Sequence, residues 1–253
     1  MVRMKLALLS DIHANLHALQ ACLAHARAAG AQQFALLGDL VGYGAFPGEV
    51  VRWAMQAAAD GAIVLRGNHD AAAAGPPTTG ASAEHISVAW TRTQLSETER
   101  AFLAGCPLTA RWQDVLLVHA SAQDPERWIY LDRPERAAQC LDAAQAGHGV
   151  QRVFAGHVHA HCFYFRGRRS ALMAFDPTPG IAIPLRAHPA WVATVGAVGQ
   201  PRDGDPRAMY ALYDPEENRL TYQRVHYDHG AAAAAIRQTP LPADFAERLG
   251  LGR

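Results

Sequence analysis

Short uninterrupted apolar runs alternate with longer amphipathic stretches through the first half of the chain. Leu6 to Leu9, Phe34 to Leu37 and Ala62 to Leu65 predict buried strands, since each is brief and flanked by polar residues. The stretches between them predict helices from about Asn15 to Ala29, stopping at Gly30, and from Val50 to Ala59, with a further helical region from Ser82 to Leu95. Ser96 and Glu99 then form a capping box that opens another short helix. This alternation implies βαβ units and a largely parallel sheet.

The pattern changes after Trp112. Val115 to Val118 and Val153 to Ala155 predict strands on either side of a helix from Pro134 to Gln145. From there the chain is mostly β, with runs at Cys162–Phe165, Ala171–Phe175, Ile181–Leu185 and Val192–Val195. A hairpin-like pair, Met209–Tyr213 and Leu220–Val225, is joined by a turn from Asp214 to Asn218, and the alanines Ala231 to Ala235 beside Ile236 predict a last helix. No internal repeat or linker interrupts the chain. The expected architecture is α/β, two packed mixed sheets flanked by helices, in one domain over residues 1–253.

Composition narrows the function. The 23 basic and 23 acidic side chains cancel, which removes the electrostatic footprint needed to hold long nucleic acid. Four scattered cysteines form no CxxC pair, so neither a disulfide framework nor a cysteine zinc site is expected, and a reducing compartment fits. The apolar run near the N-terminus is too short for a signal-peptide core, and no segment approaches the roughly 20 apolar residues that span a bilayer. A cytoplasmic protein without a membrane partner is expected, while nothing in the sequence fixes its oligomeric state.

The chemistry lies at the strand ends. LALLS runs into Asp11 and His13, FALLG into Asp39, AIVLRG into Asn68, His69 and Asp70, VLLV into His119, and VFAG into His157 and His159. Carboxyl ends of strands are where open α/β sheets keep their ligands. In extended backbone residues i and i+2 face the same side, which would pair Asp11 with His13 and His157 with His159. One D-x-H or H-x-H is weak, because a lone histidine after a strand is usually a satisfied core or surface residue. Five strand ends carrying ligand types in succession are not. Carboxylates, imidazoles and one amide suit manganese, iron or zinc, with manganese favoured, better than calcium or magnesium. Seven such groups exceed one ion but suit two sharing a bridging aspartate, roughly 3.5–4 Å apart.

These motifs resemble the calcineurin-like metallophosphoesterases, particularly their small bacterial phosphodiesterase members: SDIHAN at Ser10–Asn15, GDLVGYG at Gly38–Gly44, GNHD at Gly67–Asp70, VHAS at Val118–Ser121 and GHVH at Gly156–His159. A further segment, Gly196 to Ala208, looks like that bacterial subgroup. The resemblance implies one metal held by Asp11, His13 and His159, a second by Asn68, His119 and His157, and Asp39 bridging both. It places His69 beside the scissile phosphate without a metal bond. It also implies a hydroxide between the metals attacking phosphorus in line, with His69 serving the leaving oxygen.

The chain departs from the pattern in GDLVG, where many members read GDxxD. Gly42 takes the place of a carboxylate that orients the catalytic histidine in phosphoprotein phosphatases, and the arginine that follows it there is also missing. What orients His69 is therefore open. Ala14 stands where glycine is commoner, harmless unless the turn needs positive φ. His17 is expected to face outward and His161 to be a strand neighbour or to support the site indirectly; His25, His85, His148, His188, His226 and His229 default to the surface. Arg202 and Asp203 read equally as substrate contact or structural salt bridge, Tyr43 as a base-stacking surface or turn packing, and Arg66 as a strand-end surface residue in preference to a phosphate clamp. Trp128 and Tyr130, after the His119 loop, could form a hydrophobic pocket wall, but core packing is the expectation. The expected substrate is a small phosphodiester or nucleotide-like phosphoanhydride, with a phosphomonoester as the alternative. A catalytically dead scaffold is disfavoured, because every ligand position and His69 are filled.

Overall fold

The computed structural model describes residues 4–77, 79–166 and 172–253. In chain order, the first half runs β1 (Leu6–Leu9), α1 (Leu16–Ala28), β2 (Gln33–Leu36), α2 (Pro47–Ala59), β3 (Ile63–Val64), α3 (Asn68–Ala74), α4 (Ala83–Gln94) and α5 (Glu97–Gly105). It continues through β4 (Thr109–Trp112), β5 (Val115–Val118), α6 (Pro134–His148), β6 (Arg152–Ala155), β7 (His161–Arg166), β8 (Leu172–Phe175) and β9 (Ala182–Pro184). The last elements are β10 (Trp191–Val195), β11 (Ala208–Asp214), β12 (Arg219–Val225), α7 (His229–Arg237) and α8 (Ala243–Leu251). Of the expected strand from Ala171, the first residue lies outside the described residues.

Among the described residues the strands form two mixed six-stranded sheets, ordered β3-β2-β1-β11-β12-β9 and β4-β5-β6-β10-β7-β8. The parallel pairing expected from the βαβ pattern is confined to β1–β2–β3 in the first sheet and β5–β6–β10 in the second; the other pairs are antiparallel.

The uninterrupted apolar runs have a simple cause: their strands are covered on both faces. Leu6 and Leu8 of β1 enter the core between the sheets, while Ala7 and Leu9 pack under α1, α2 and α5. In β5, Val115 and Leu117 face inward and Leu116 and Val118 pack under α6. Trp191, Tyr222, Phe154 and Phe163 fill the space between the sheets and are essentially inaccessible; burying each such side chain contributes about 1.5–3 kcal/mol. The result is a helix–sheet–sheet–helix sandwich, as the sequence led us to expect. α7 and α8 form an additional hairpin whose apolar residues pack on Tyr43, Ala45 and Trp90.

Three elements escape the sequence pattern. α3 begins at Asn68 itself, so GNHD opens a helix, and Gly67 caps it with Asp70 returning to its N–H. β4 and α8 are short, and neither was expected. α2 starts at Pro47, three residues before the expected Val50, with proline in the first turn where its missing N–H costs nothing.

Candidate metal centre

The two sheets lie so that β1, β2, β3, β5 and β6 all deliver their carboxyl ends to one place. The loops there continue the strands' hydrogen bonding: Asp11 N–H donates to the Gly38 carbonyl (3.0 Å), His13 N–H to Asp39 (2.9 Å) and Gly156 N–H to His119 (2.8 Å). The extended-backbone reading of D-x-H and H-x-H fails here. Asp11, His13, Asp39, His157 and His159 have φ of 53°, 49°, 52°, 67° and 60°, all left-handed. Sharp turns, not strand alternation, aim these side chains. Ala14 also has positive φ, 52°, so the turn does require the conformation that glycine adopts without strain.

Three groups of side chains place their ligand atoms within 4.8 Å of one another: Asp11, Asp39, His119 and His157; Asp11, His13 and His159; and His13, Asp39 and His69. All are buried. Asn68 joins them, with its Oδ1 3.2 Å from His119 Nε2. The seven residues singled out from sequence are thus brought together. His69 also comes within ligand range of His13 and Asp39, closer than a position outside the ligand set would require.

Each of four imidazoles is anchored through one nitrogen to a backbone carbonyl. Nδ1 of His13 donates to Val41 (3.1 Å), of His119 to Leu37 (2.7 Å) and of His159 to Gln200 (2.6 Å); His157 donates through Nε2 to Trp128 (3.0 Å). That bond fixes the tautomer and leaves the other nitrogen's lone pair aimed inward, as metal-binding histidines require. His13 Nε2 and His159 Nε2 meet at 3.1 Å. The carboxylates behave alike. Asp11 Oδ2 accepts the His157 N–H (2.8 Å) and Asp39 Oδ1 the His69 N–H (2.8 Å). Their other oxygens face the imidazoles: Asp11 Oδ1 has no hydrogen-bond partner and lies 3.1 Å from His159 Nε2, and Asp39 Oδ2 lies 3.4 Å from His119 Nε2 and 3.8 Å from His13 Nε2. An unpartnered buried carboxylate oxygen among inward-aimed lone pairs fits a divalent cation.

The electrostatics agree. Burial opposes the charge of Asp11 and Asp39, yet the histidines around them hold both carboxyls below the usual range. Burial and the neighbouring His159 push His13 well down, and burial with His119 takes His157 down to about 4. Both are neutral, as ligands must be. His119 is the exception: burial opposes its charge too, but Asp39 outweighs burial and raises it to about 9, so His119 must release a proton when a cation takes its place beside Asp39.

His69 is held by packing in place of a carboxylate. Its ring lies edge-on to His13 (5.0 Å) and Tyr43 (4.5 Å), and its Nδ1 is buried without a hydrogen-bond partner. A Cβ on Gly42 would sit 2.6 Å from that nitrogen, so the ring occupies the space that a side chain at this position would need. Burial lowers the His69 pKa, against the pull of Asp39 and Glu84. Asp70 points away, accepting the N–H groups of Leu40 (2.9 Å), Val41 (3.2 Å) and Gly67 (2.9 Å), so it braces the Asp39 loop; burial and Asp39 raise it to about 7.

The other candidates resolve as follows. Tyr43 packs in its turn, against His13, His69 and Phe245. Arg66 is tied to the Ala104 carbonyl (2.9 Å) and Glu126 (3.7 Å). In the loop of Arg202 and Asp203 the salt bridge is made by Asp203 with Arg224, and Arg202 takes no part in it. His161 opens β7 with its ring tilted against Tyr222 (4.6 Å), and neither it nor His17 enters a ligand group among the described residues. Trp128 and Tyr130 are not core residues. The Trp128 carbonyl anchors His157, and the Tyr130 ring, 42% exposed, stacks on it at 3.9 Å. Of the two readings, the wall beside the site holds and core packing does not; the distance in sequence from Trp128 to His157 hides the contact.

A two-sheet sandwich with buried carboxylates and imidazoles gathered at its strand ends has the makings of a metal-binding α/β protein. A profile of the calcineurin-like phosphoesterase superfamily domain matches residues 4–218, and the chain belongs to that superfamily. An uncharacterized protein of Methanocaldococcus jannaschii is 30% identical over 259 residues, with both chains fully covered. The crystal structure of a metallophosphoesterase from Sphaerobacter thermophilus superposes with a TM-score of 0.87 at 32% identity, covering 99% of each chain. That of a hypothetical protein from Pyrococcus horikoshii OT3 shares the fold, with a TM-score of 0.76 at 19% identity and 98% of each chain covered. No helix among the described residues is long and apolar enough to cross a membrane.

Proposed function

We propose that this centre hydrolyses a small phosphodiester or nucleotide-like phosphoanhydride with two divalent ions, manganese favoured over iron or zinc. The observation that carries the reading is the set of inward lone pairs: four imidazoles anchored through their far nitrogens, around the unpartnered Asp11 Oδ1 and the centrally placed Asp39 Oδ2. Asp11, His13 and His159 would hold one ion, Asn68, His119 and His157 the other, and Asp39 both. When bound, the ions supply Lewis-acid charge and a water activated for attack on phosphorus.

The chain's own groups do the rest. The carbonyls of Val41, Leu37, Gln200 and Trp128 keep the imidazoles oriented, and Asp70 fixes the loop that carries Asp39. The bond from water oxygen to phosphorus forms as the bond to the leaving oxygen breaks, and the leaving oxygen takes up a proton. His69, packed against Tyr43 and Gly42, serves that oxygen.

Gly42 brings no charge to the wall beside His69, and Arg66 is tied elsewhere, so neither supplies counter-charge for a dianionic monoester. Such a wall suits a monoanionic diester, whose second ester group needs space more than counter-charge. In manganese, kcat/KM for bis-p-nitrophenyl phosphate should exceed that for p-nitrophenyl phosphate. A tenfold preference for the monoester would overturn the diester reading and favour a phosphomonoesterase.

A further inference from the structure

Arg202 is the charged residue beside the centre that hydrolysis as described leaves unused. It lies in the loop after β10. Its N–H donates to the His159 carbonyl (3.3 Å), its Nη2 to Gln200 Oε1 (3.1 Å), and its guanidinium sits 6.0 Å from the centre of the Tyr43 ring. The same loop is pinned from outside. Arg224 pairs with Asp203 and donates to the carbonyls of Asp205 (3.3 Å) and Arg207 (3.2 Å). Gly204 N–H donates to the Gly252 carbonyl at the end of α8 (2.9 Å). Among the described residues Arg202 joins no ion pair: Asp203 is taken by Arg224, and across the cleft Asp244 is taken by Arg248 at 2.5 Å. An exposed guanidinium is therefore held in place without an ion-pair partner, although Glu247 lines the same cleft.

It faces a cleft of 580 Å³ between Tyr43 and α8, lined also by Arg248, Arg253, Asp244 and Glu247. That volume is within the range that holds a small ligand. On the other side of Tyr43 the packing is closed: the crevice between the α7–α8 hairpin and the His13 loop leaves 10 Å³, about one water at most. Tyr43 thus separates a sealed contact from an open cleft. The Tyr43 ring that lines the cleft also touches His69 (4.5 Å), so a single side chain lies between the cleft and the group assigned to the leaving oxygen. The outer wall comes from α8, which lies beyond the residues matched by the superfamily profile.

We propose that this cleft is a leaving-group subsite in which Arg202 binds a phosphate carried by the departing fragment. The preferred substrates are then phosphoanhydrides or nucleotide esters whose leaving group is itself anionic. The proposal rests on the hydrolytic reading above, and on His69 marking the leaving-group side. A guanidinium fork suits a phosphate held in one orientation, and its fixed place spares the cost of ordering it on binding.

The test compares Arg202→Gln with the parent on two substrates in manganese: bis-p-nitrophenyl phosphate, whose leaving group is a neutral phenol or its anion, and a symmetrical dinucleoside tetraphosphate. The loss in kcat/KM on the tetraphosphate should be roughly 10–100-fold, as for a charge-assisted hydrogen bond. It should exceed the loss on the diester by at least tenfold, and fall mainly in KM. Arg202→Lys should recover part of it. Equal losses on both substrates would place Arg202 on the scissile phosphate and overturn the subsite, as would no loss on either. A second measurement separates this from failure of the hydrolytic reading. Adenosine diphosphate binding to chelator-treated protein should weaken about tenfold or more in Arg202→Gln, even if neither substrate is turned over; unchanged affinity would overturn the proposal.

Discussion

His69 carries the sharpest residue-level consequence. Placed beside the leaving oxygen, its loss should slow the reaction without emptying the centre. His69→Ala should keep its metal and lose on the order of 10²–10⁴ in rate, with a smaller loss for a good leaving group such as p-nitrophenolate. Equal losses for good and poor leaving groups would remove the proton-donor role, and loss of metal would make His69 a ligand. Since Tyr43 and Gly42 hold the ring in the absence of a carboxylate, Tyr43→Ala should lower kcat by roughly tenfold or more while metal content stays at the parent's level. Unchanged kcat would show that the ring needs no such support. At this scale the sequence revealed which residues meet but not how. The side chains that gather were legible because strand-ending polar groups stand out against apolar runs. Their aim was not, because left-handed backbone at Asp11, His13, Asp39, His157 and His159 leaves no periodic trace. Each costs on the order of 1 kcal/mol and is held by the loop-to-loop hydrogen bonds around it.

Among the elements, the central strands were the most legible, since burial on both faces writes itself as a continuous apolar run. The capping box at Ser96 was equally readable and is formed: Ser96 N–H donates to Glu99 Oε2 (2.7 Å), and Ser96 Oγ accepts the Glu99 N–H (3.3 Å). Ser96→Ala should cost about 1 kcal/mol of stability, read as a lower Tm or denaturation midpoint. An unchanged midpoint would mean that Glu99, which also pairs with Arg52 at 2.8 Å, holds the helix start by itself. The elements that escaped are short or lie at an edge. α3 spans seven residues whose first two read as site chemistry, and Gly75 closes it at once. β4 is an edge strand with half-buried positions, so its alternation is faint. α8 has buried Phe245, Ala246 and Leu249, but nine residues after a proline give little period to detect.

At the scale of the molecule, the two sheets bring together polar groups that neither could bury alone. Four imidazoles, two carboxylates and His69 lie buried around one point, with Asp11 Oδ1 unpartnered. A bound cation binds the folded state alone, so at a concentration about 1,000 times its Kd it adds about 4 kcal/mol to stability. Chelation should lower Tm and manganese restore it; a Tm indifferent to both would mean that the cluster is stable without metal. The shared position of Asp39 leads to a more direct measurement. Elemental analysis of manganese- or zinc-loaded protein should find close to two ions per chain, with both lost in Asp39→Asn and mainly one weakened in His13→Ala. Wild-type protein that never exceeds one ion per chain would contradict the two-metal account.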